Sequence, residues 1–257
     1  MKAYDNFGNI VVVKFEEKTS LKDKKKFAEK ILKEQKSVRT VLEKKEKIKG
    51  RLRKLSTNYI AGEKTNEVLY KENGCTFRFN INETYFSPRL SNERKEIASK
   101  IKNGETVLVM FAGVAPYSIV IAKLSKAKKV FSNEINRKAN KYAELNIKLN
   151  KVKDKVELLN GDIKRIAKNL GKEKFEVIVM PRPQLKESFL NEAFILSKTG
   201  TRIYYYDFCK IDEIDSIIEK IKEEAKKCKK KIKILNVKRA GEIAPYKIRL
   251  RVDFQII

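Results

Sequence analysis

The sequence predicts a mostly parallel α/β sheet closed by an antiparallel terminal hairpin and preceded by a smaller α+β domain. Three observations predict it. From residue 105 onward, strand-like apolar runs alternate with amphipathic helical stretches five times over. The first of these runs, ETVLVMF (105–111), is continuously apolar after its first two residues, the composition of a strand buried on both faces. The last two strand-like stretches, KIKILNVKRA (231–240) and YKIRLRVDFQI (246–256), have no helix between them and so pair as a hairpin at the sheet edge.

Each element follows from its own pattern. Residues 9–15 (NIVVVKF) are β-branched and bounded by Gly8, a strand. Residues 21–34 place Leu21, Phe27, Ile31 and Leu32 at helical spacing among lysines. Residues 38–43 and 67–71 are short strands, and CTFRFNI (75–81) alternates apolar and polar as a half-buried strand does. This α+β segment ends near Pro88, which sets the expected division: an α+β domain of residues 1–88, then 89–257. SNERKEIASKIK (91–102) reads as a helix capped by Ser91. YSIVIAKLSKA (117–127), RKANKYAELNIKLN (137–150), IKRIAKNLG (163–171), LKESFLNEAFILSK (185–198) and residues 211–228 are the following helices. Between them lie strands at 130–135, 156–162, 175–180 and 201–208. Such a mixture is the pattern of Rossmann-like class I methyltransferases dependent on S-adenosylmethionine (SAM), rather than of dinucleotide dehydrogenases.

Composition narrows the function. Sixty Lys and Arg stand against 33 Asp and Glu, a net charge of +27, so the expected partner is a polyanion, with nucleic acid the commonest. An A/T-rich genome or heat adaptation explains part of the lysine, but a Lys/Glu balance alone would leave the charge near zero. There is no histidine, which excludes imidazole triads and HExxH metal sites and leaves acid–base work to Asp, Glu, Lys, Tyr or Cys. Cys75, Cys209 and Cys228 are too dispersed for a zinc site or a disulfide framework. No carboxylate cluster suggests a dedicated metal site. No apolar run approaches the ~20 residues that span a bilayer, and the N-terminus lacks a signal-peptide core. A cytoplasmic monomer with no membrane association is expected.

Ligands of open α/β sheets bind beyond the carboxyl ends of the strands. The first such end carries Phe111, Ala112, Gly113, Val114 and Ala115, small residues that let a ligand approach the backbone, without the GxGxxG or GxxxxGK[ST] patterns. The second strand ends at Glu134, a carboxylate suited to ribose hydroxyls or else a solvated loop residue. The third ends at Asn160-Gly161-Asp162, where Asp162 either faces an adenine or caps the next helix. Tyr204, Tyr205 and Tyr206 could stack on bases but alternate across a buried strand, which favours core packing. KKCKKKIK (226–233) reads as a helix end whose lysines complement the dipole.

Taken together, TYFSPRLSNER (84–94), VMFAGVAPYSI (109–119), NEIN (133–136), NGD (160–162) and AGEIAPYKIRLRVDF (240–254) resemble the archaeal and eukaryotic tRNA (guanine-N1)-methyltransferases acting at position 37, beside the anticodon. The resemblance covers nearly the whole chain. It implies SAM as cofactor, held by residues 111–115, Glu134, Asp162 and Pro181, and the anticodon arm of tRNA as partner. It implies that Glu93 is the general base for the guanine N1 proton, and that Arg53 stabilises charge growing on O6. Tyr85 and Arg89 would organise the site and, with Pro181, Arg182 and Pro183, hold the target base. Absent the resemblance, Glu93 and Arg94 read as surface helix charges.

Two departures stand out. Val109 replaces the acidic residue usual before the MFAGV run, and Ala115 replaces a glycine. Pro181-Arg182-Pro183 replaces Asn-Leu-Pro, and proline has no N–H to offer the base. One archaeal branch with that proline also C-methylates a wyosine precursor, so dual activity is an open expectation. The resemblance further implies that the small N-terminal domain common in the family is missing ahead of residue 1. Two alternatives stay open: an aminocarboxypropyl transferase of the wybutosine pathway, and a non-catalytic RNA-binding protein.

Overall fold

The computed structural model describes residues 4–45, 55–170 and 173–257. The chain opens with β1 (Tyr4–Asn6), β2 (Ile10–Val13), α1 (Leu21–Glu34), β3 (Thr40–Lys44) and β4 (Thr57–Gly62). They form a four-stranded sheet in that order, β2 and β3 parallel across the α1 crossover, β1 and β4 antiparallel at the edges. Every residue of β2 (IVVV) is buried, because α1 covers Val11 and Val13 while Ile10 and Val12 face the rest of the protein. The Ser20 side chain accepts from the Asp23 amide at 3.1 Å and so caps α1. β1 and β4, short or polar edge strands, were not among the expected elements.

Next comes a hairpin, β5 (Glu67–Glu72) and β6 (Cys75–Asn80). Its two-residue Asn73-Gly74 turn has φ of +49° and +68°, the left-handed pair that matches strand twist. The alternation read at 75–81 holds, with Cys75, Phe77 and Phe79 buried.

The remainder comprises α2 (Ser91–Ser99), β7 (Thr106–Val109), α3 (Pro116–Leu124), β8 (Lys129–Glu134), α4 (Arg137–Leu149), β9 (Val156–Asn160), α5 (Ile163–Asn169), β10 (Phe175–Met180), α6 (Leu190–Ile195), β11 (Ser197–Lys210), α7 (Ile214–Lys227), β12 (Ile232–Ala244) and β13 (Lys247–Ile256). The seven strands run in the order β12-β13-β11-β10-β7-β8-β9, five parallel and the terminal β12–β13 pair antiparallel. β7 explains the double burial: Val107 and Val109 face the core under α2, α3 and α4, whereas Leu108 and Met110 face α5, α6 and α7. Strand order reverses between β7 and β10, so the crevice for a ligand opens there.

The β5–β6 hairpin lies on the N-terminal side of the expected division at residue 88, yet it is bonded to α4. Asn146 accepts from the Arg78 amide at 2.7 Å and donates to its carbonyl at 3.1 Å; Asn150 does the same for Thr76 at 2.8 and 2.7 Å. These two amides act as a substitute strand on the edge of β6, satisfying backbone groups that would otherwise be orphaned.

Three expected boundaries shift. Pro88–Leu90 forms a 3-10 turn, so Leu90 rather than Ser91 holds the cap position of α2, which ends at Ser99. The helix expected over 185–198 shrinks to Leu190–Ile195, because Arg182 draws the carbonyls of Leu185 and Glu187 into a loop, at 2.5 and 2.6 Å. β11 consequently starts at Ser197 instead of Thr201.

Candidate active site

At the carboxyl end of β7 the backbone takes left-handed conformations at alternate residues: Phe111 (φ +60°), Gly113 (+59°) and Ala115 (+65°). Ala115 adopts this conformation without the glycine usual there, and α3 begins directly after it with Pro116. A side chain on Gly113 would place its Cβ 3.3 Å from the Tyr85 carbonyl, so the loop and the 84–87 segment close on one another. From the end of β8, Glu134 accepts the Gly113 amide on Oε2 at 2.8 Å and the Asn136 amide on Oε1 at 2.7 Å. Asn136 in turn donates to the Glu83 carbonyl at 2.9 Å, and Asn133 donates to the carbonyls of Leu159 and Gly161 at 2.8 and 3.0 Å. The three strand ends are thereby laced together.

They border a cleft of about 650 Å³ that is partly open to solvent, at the place where ligands of open α/β sheets bind. Of the residues the sequence pointed to, Tyr85, Phe111, Gly113, Glu134, Pro181 and Pro183 line it. Asn133, Ile135, Asn136 and Gly161, inside the NEIN and NGD motifs but given no role of their own, complete the wall with Ala139, Ile163, Leu185 and Phe189, which nothing local in the sequence marks. Asp162 caps α5, its carboxylate accepting from the Lys164 amide at 3.0 Å, and borders an open basic groove next to the cleft with Arg137, Lys164, Arg165 and Lys168. Val114 and Ala115 are wholly buried beneath the loop.

A second cleft of about 510 Å³ shares Tyr85, Phe111, Gly113 and Pro181 with the first and runs under α2 to Leu90, Arg94, Ala112, Tyr117, Arg182, Tyr206 and Arg249. It shares Tyr85, Phe86, Ser87 and Arg249 with a wide groove between the four-stranded sheet and the β12–β13 hairpin. Tyr85 lines all three spaces, which therefore adjoin one another. Arg89 lines the groove rather than either cleft, and donates to Asp5 through Nε at 3.0 Å and Nη2 at 2.6 Å.

Arg182 is turned inward. Its guanidinium pairs with Asp207 and holds the 185–187 carbonyls, while its Nε, buried, meets no hydrogen-bond partner. The expected base contact is thus confined to one nitrogen, and the main work of Arg182 is to shape the loop behind Pro183.

Glu93 is neither a surface charge nor a cleft residue. It is 6% exposed; Tyr206 Oη donates to its Oε1 at 3.0 Å, Arg251 donates to the same oxygen, and Lys238 reaches Oε2 at 3.3 Å. Arg251 also binds Glu96 and Asp253, each at 2.7 Å. Tyr206 belongs to the core, as expected of the 204–206 run, but its ring forms a wall of the second cleft, a role its sequence position did not reveal. Arg53 lies outside the described residues.

A carboxylate at the second strand end, a close-approach glycine at the first, and apolar walls from Phe111, Ile135, Ile163 and Pro181 fit the ribose and adenine of a nucleoside cofactor. The seven-stranded order with its antiparallel terminal pair, joined to this cleft, defines a SAM-dependent methyltransferase. A family model described as the TRM5/TYW2 methyltransferase domain matches residues 68–235, and one described as the TYW2 N-terminal domain matches residues 1–65. The chain belongs to the TRM5/TYW2 methyltransferase family. The tRNA (guanine(37)-N(1))-methyltransferase Trm5b of Pyrococcus abyssi is 36% identical over 256 residues, 99% of this chain and 74% of that protein. Its crystal structure superposes with a TM-score of 0.88, at 34% identity over 99% of this chain and 74% of that one. The tRNA (guanine(37)-N(1))/4-demethylwyosine(37)-methyltransferase Taw22 of Nanoarchaeum equitans is 32% identical, covering 99% of this chain and 100% of that protein. The structure of aTrm5 complexed with tRNALeu matches with a TM-score of 0.86 and 29% identity, over 99% of this chain and 72% of that one.

Proposed function

We propose that the chain transfers the methyl group of SAM to N1 of guanosine 37 in tRNA. The observation that carries this reading is the set of adjoining spaces that meet at Tyr85: a large groove for RNA, a smaller cleft for one base, and the cofactor cleft. The similarity to relatives named for that reaction supports it.

When bound, SAM supplies an electrophilic methyl group on a sulfonium. The chain's residues do the rest. Glu134 and Gly113 orient the cofactor, and Tyr85 with Pro181, at the junction of the two clefts, sets the target base against it. Guanine N1 carries a proton that must leave as the nitrogen attacks, and Glu93 is its acceptor. Arg249, half-buried where groove meets cleft, steers the nucleotide's phosphate. The anticodon arm lies in the groove between Lys14, Lys44 and the β12–β13 hairpin, drawn by the net charge of +27. Such a chain acts in the cytoplasm as a monomer, a state that light scattering reads directly.

Pro181 favours a second activity on the same nucleotide. It borders both clefts and offers no N–H to the base edge, leaving an apolar wall that accepts the added ring of a tricyclic wyosine precursor. Incubation with methyl-labelled SAM and unmodified tRNA bearing G37, followed by nucleoside analysis, tests the first activity. The expected product is 1-methylguanosine, absent with A37. Methyl incorporation only into tRNA carrying the wyosine precursor would overturn the guanine assignment and leave the second activity alone.

A further inference from the structure

The acceptor carboxylate and the base cleft do not touch. Glu93 is absent from the walls of the second cleft, and its Oε1 is covered by the hydroxyl of Tyr206, which does form that wall. A second phenol, Tyr117, lines the same cleft, and its buried hydroxyl interacts with that of Tyr206.

Resting on the guanine reading above, we propose that Tyr206 relays the N1 proton from the base cleft to Glu93. The N1–H bond breaks as its proton passes to the Tyr206 oxygen, and the Tyr206 O–H proton passes to Glu93 Oε1. The electron pair left on N1 forms the new bond to the methyl carbon, and the pair of the broken S–C bond stays with sulfur, which becomes a neutral thioether. Charge balances: the sulfonium and the carboxylate are both neutralised, and Tyr206 ends as it began.

Three features of the site suit Tyr206 to this. Its phenol is fixed in β11 between Tyr117, at a ring-centroid distance of 6.0 Å, and the Glu93 carboxylate. Burial foremost holds its hydroxyl protonated well above the ordinary phenol range, so that it always has a proton to pass on and never accumulates as phenolate. Beyond Glu93, Lys238 and Glu96, whose side chains are 37% and 33% exposed, lead to solvent, a route by which the proton leaves after turnover.

Single-turnover methyl transfer over a range of pH, in Tyr206→Phe and Glu93→Gln beside the wild type, decides the matter, with SAM and tRNA affinities measured by calorimetry and filter binding. The relay predicts that Tyr206→Phe lowers the rate at neutral pH by ~10²-fold, the scale of a lost acid–base group, with both affinities unchanged. It also predicts that the rate recovers at alkaline pH, where guanine N1 ionises without help. A Tyr206→Phe enzyme that keeps the wild-type rate while Glu93→Gln loses it overturns the relay alone, since Glu93 then acts directly. A rate loss that alkali does not restore, or one accompanied by weakened SAM binding, also overturns it and makes Tyr206 a packing residue. A wild type that incorporates no methyl into G37 overturns the guanine reading and the relay together.

Discussion

Arg94 and Glu72 form a bidentate ion pair inside the protein, Nε to Oε1 and Nη2 to Oε2, with side chains only 1% and 2% exposed. The pair joins α2 to the end of β5, and Arg94 Nη2 also donates to the Ser87 carbonyl at 3.0 Å. Its guanidinium lies over the rings of Phe86 and Tyr117, at 5.0 and 5.8 Å, and all three line the second cleft. Since Glu93 precedes Arg94 on the same helix, the pair also sets where the Glu93 carboxylate sits.

Removing one partner leaves an uncompensated buried charge, which costs about 3–5 kcal/mol. Arg94→Ala and Glu72→Ala should therefore each lower the unfolding free energy by that amount in denaturant titrations. Joint replacement by Met and Leu restores most of the stability, because a well-packed apolar pair avoids the desolvation penalty. It should leave methyl transfer impaired, as α2 is no longer held to Ser87. Full activity in the apolar double variant would show that the pair serves stability alone.

Ala115 supplies a second prediction. Its left-handed backbone costs an alanine about 1–2 kcal/mol, and glycine would relieve it. Glycine also loses more entropy on folding, about 0.4–1 kcal/mol, and gives up one buried methyl worth about 0.8 kcal/mol. The terms nearly cancel, so Ala115→Gly should change stability by less than about 1 kcal/mol and leave SAM binding intact. Ala115→Val puts a β-branched residue into the same conformation at a fully buried site and should cost more than about 2 kcal/mol. A glycine variant that binds SAM markedly better would show that the alanine distorts the cofactor loop.

Those contrasts locate what could be read along the chain. The parallel sheet was legible because β7 and β10 are short apolar runs flanked by helical periodicity, and the terminal hairpin because nothing helical separates its strands. The place of Phe111, Gly113 and Glu134 at a cleft was legible because ligands in this fold bind at strand ends. Glu93 and Arg94 looked like surface charges because their partners Tyr206, Arg251 and Glu72 lie 113, 158 and 22 residues away, brought together only by strand order and packing. Arg182 shows the converse: its position promised a base contact, but a buried Asp207 on β11 turned the guanidinium inward and cut short the expected helix.

Acid stability follows from two carboxylates. Burial would raise the Glu176 carboxyl, but hydrogen bonds from Lys198 and Thr106 outweigh it and bring it down to about 2; Arg251 and Lys238 do the same for Glu96, also to about 2. The unfolded chain takes up these protons near the ordinary value of 4.5, before the folded chain does. Their stabilisation is therefore complete above about 4.5 and is lost as pH falls toward about 2. Denaturant midpoints measured across that window should fall with pH, and less steeply in Glu176→Gln. An identical slope in the variant would mean that other groups govern acid unfolding.

Arg249 stands apart among the arginines at the site. Arg94, Arg182 and Arg251 each have a carboxylate partner, whereas Arg249, among the described residues, shows only a stacking contact on Phe208, 5.2 Å from the ring centroid. A half-buried guanidinium without an acid at the threshold of groove and cleft is suited to a phosphate, because the desolvation that would disfavour a lone cation is offset once an anion arrives. Arg249→Ala should weaken binding of every tRNA substrate alike and reduce the slope of log affinity against log salt by about 1, the signature of one lost phosphate contact. SAM affinity should not change, since Arg249 is absent from the cofactor cleft. Were the salt slope unchanged while the methyl-transfer rate fell, Arg249 would act on the base itself, in the electrostatic role that the family resemblance implies for Arg53.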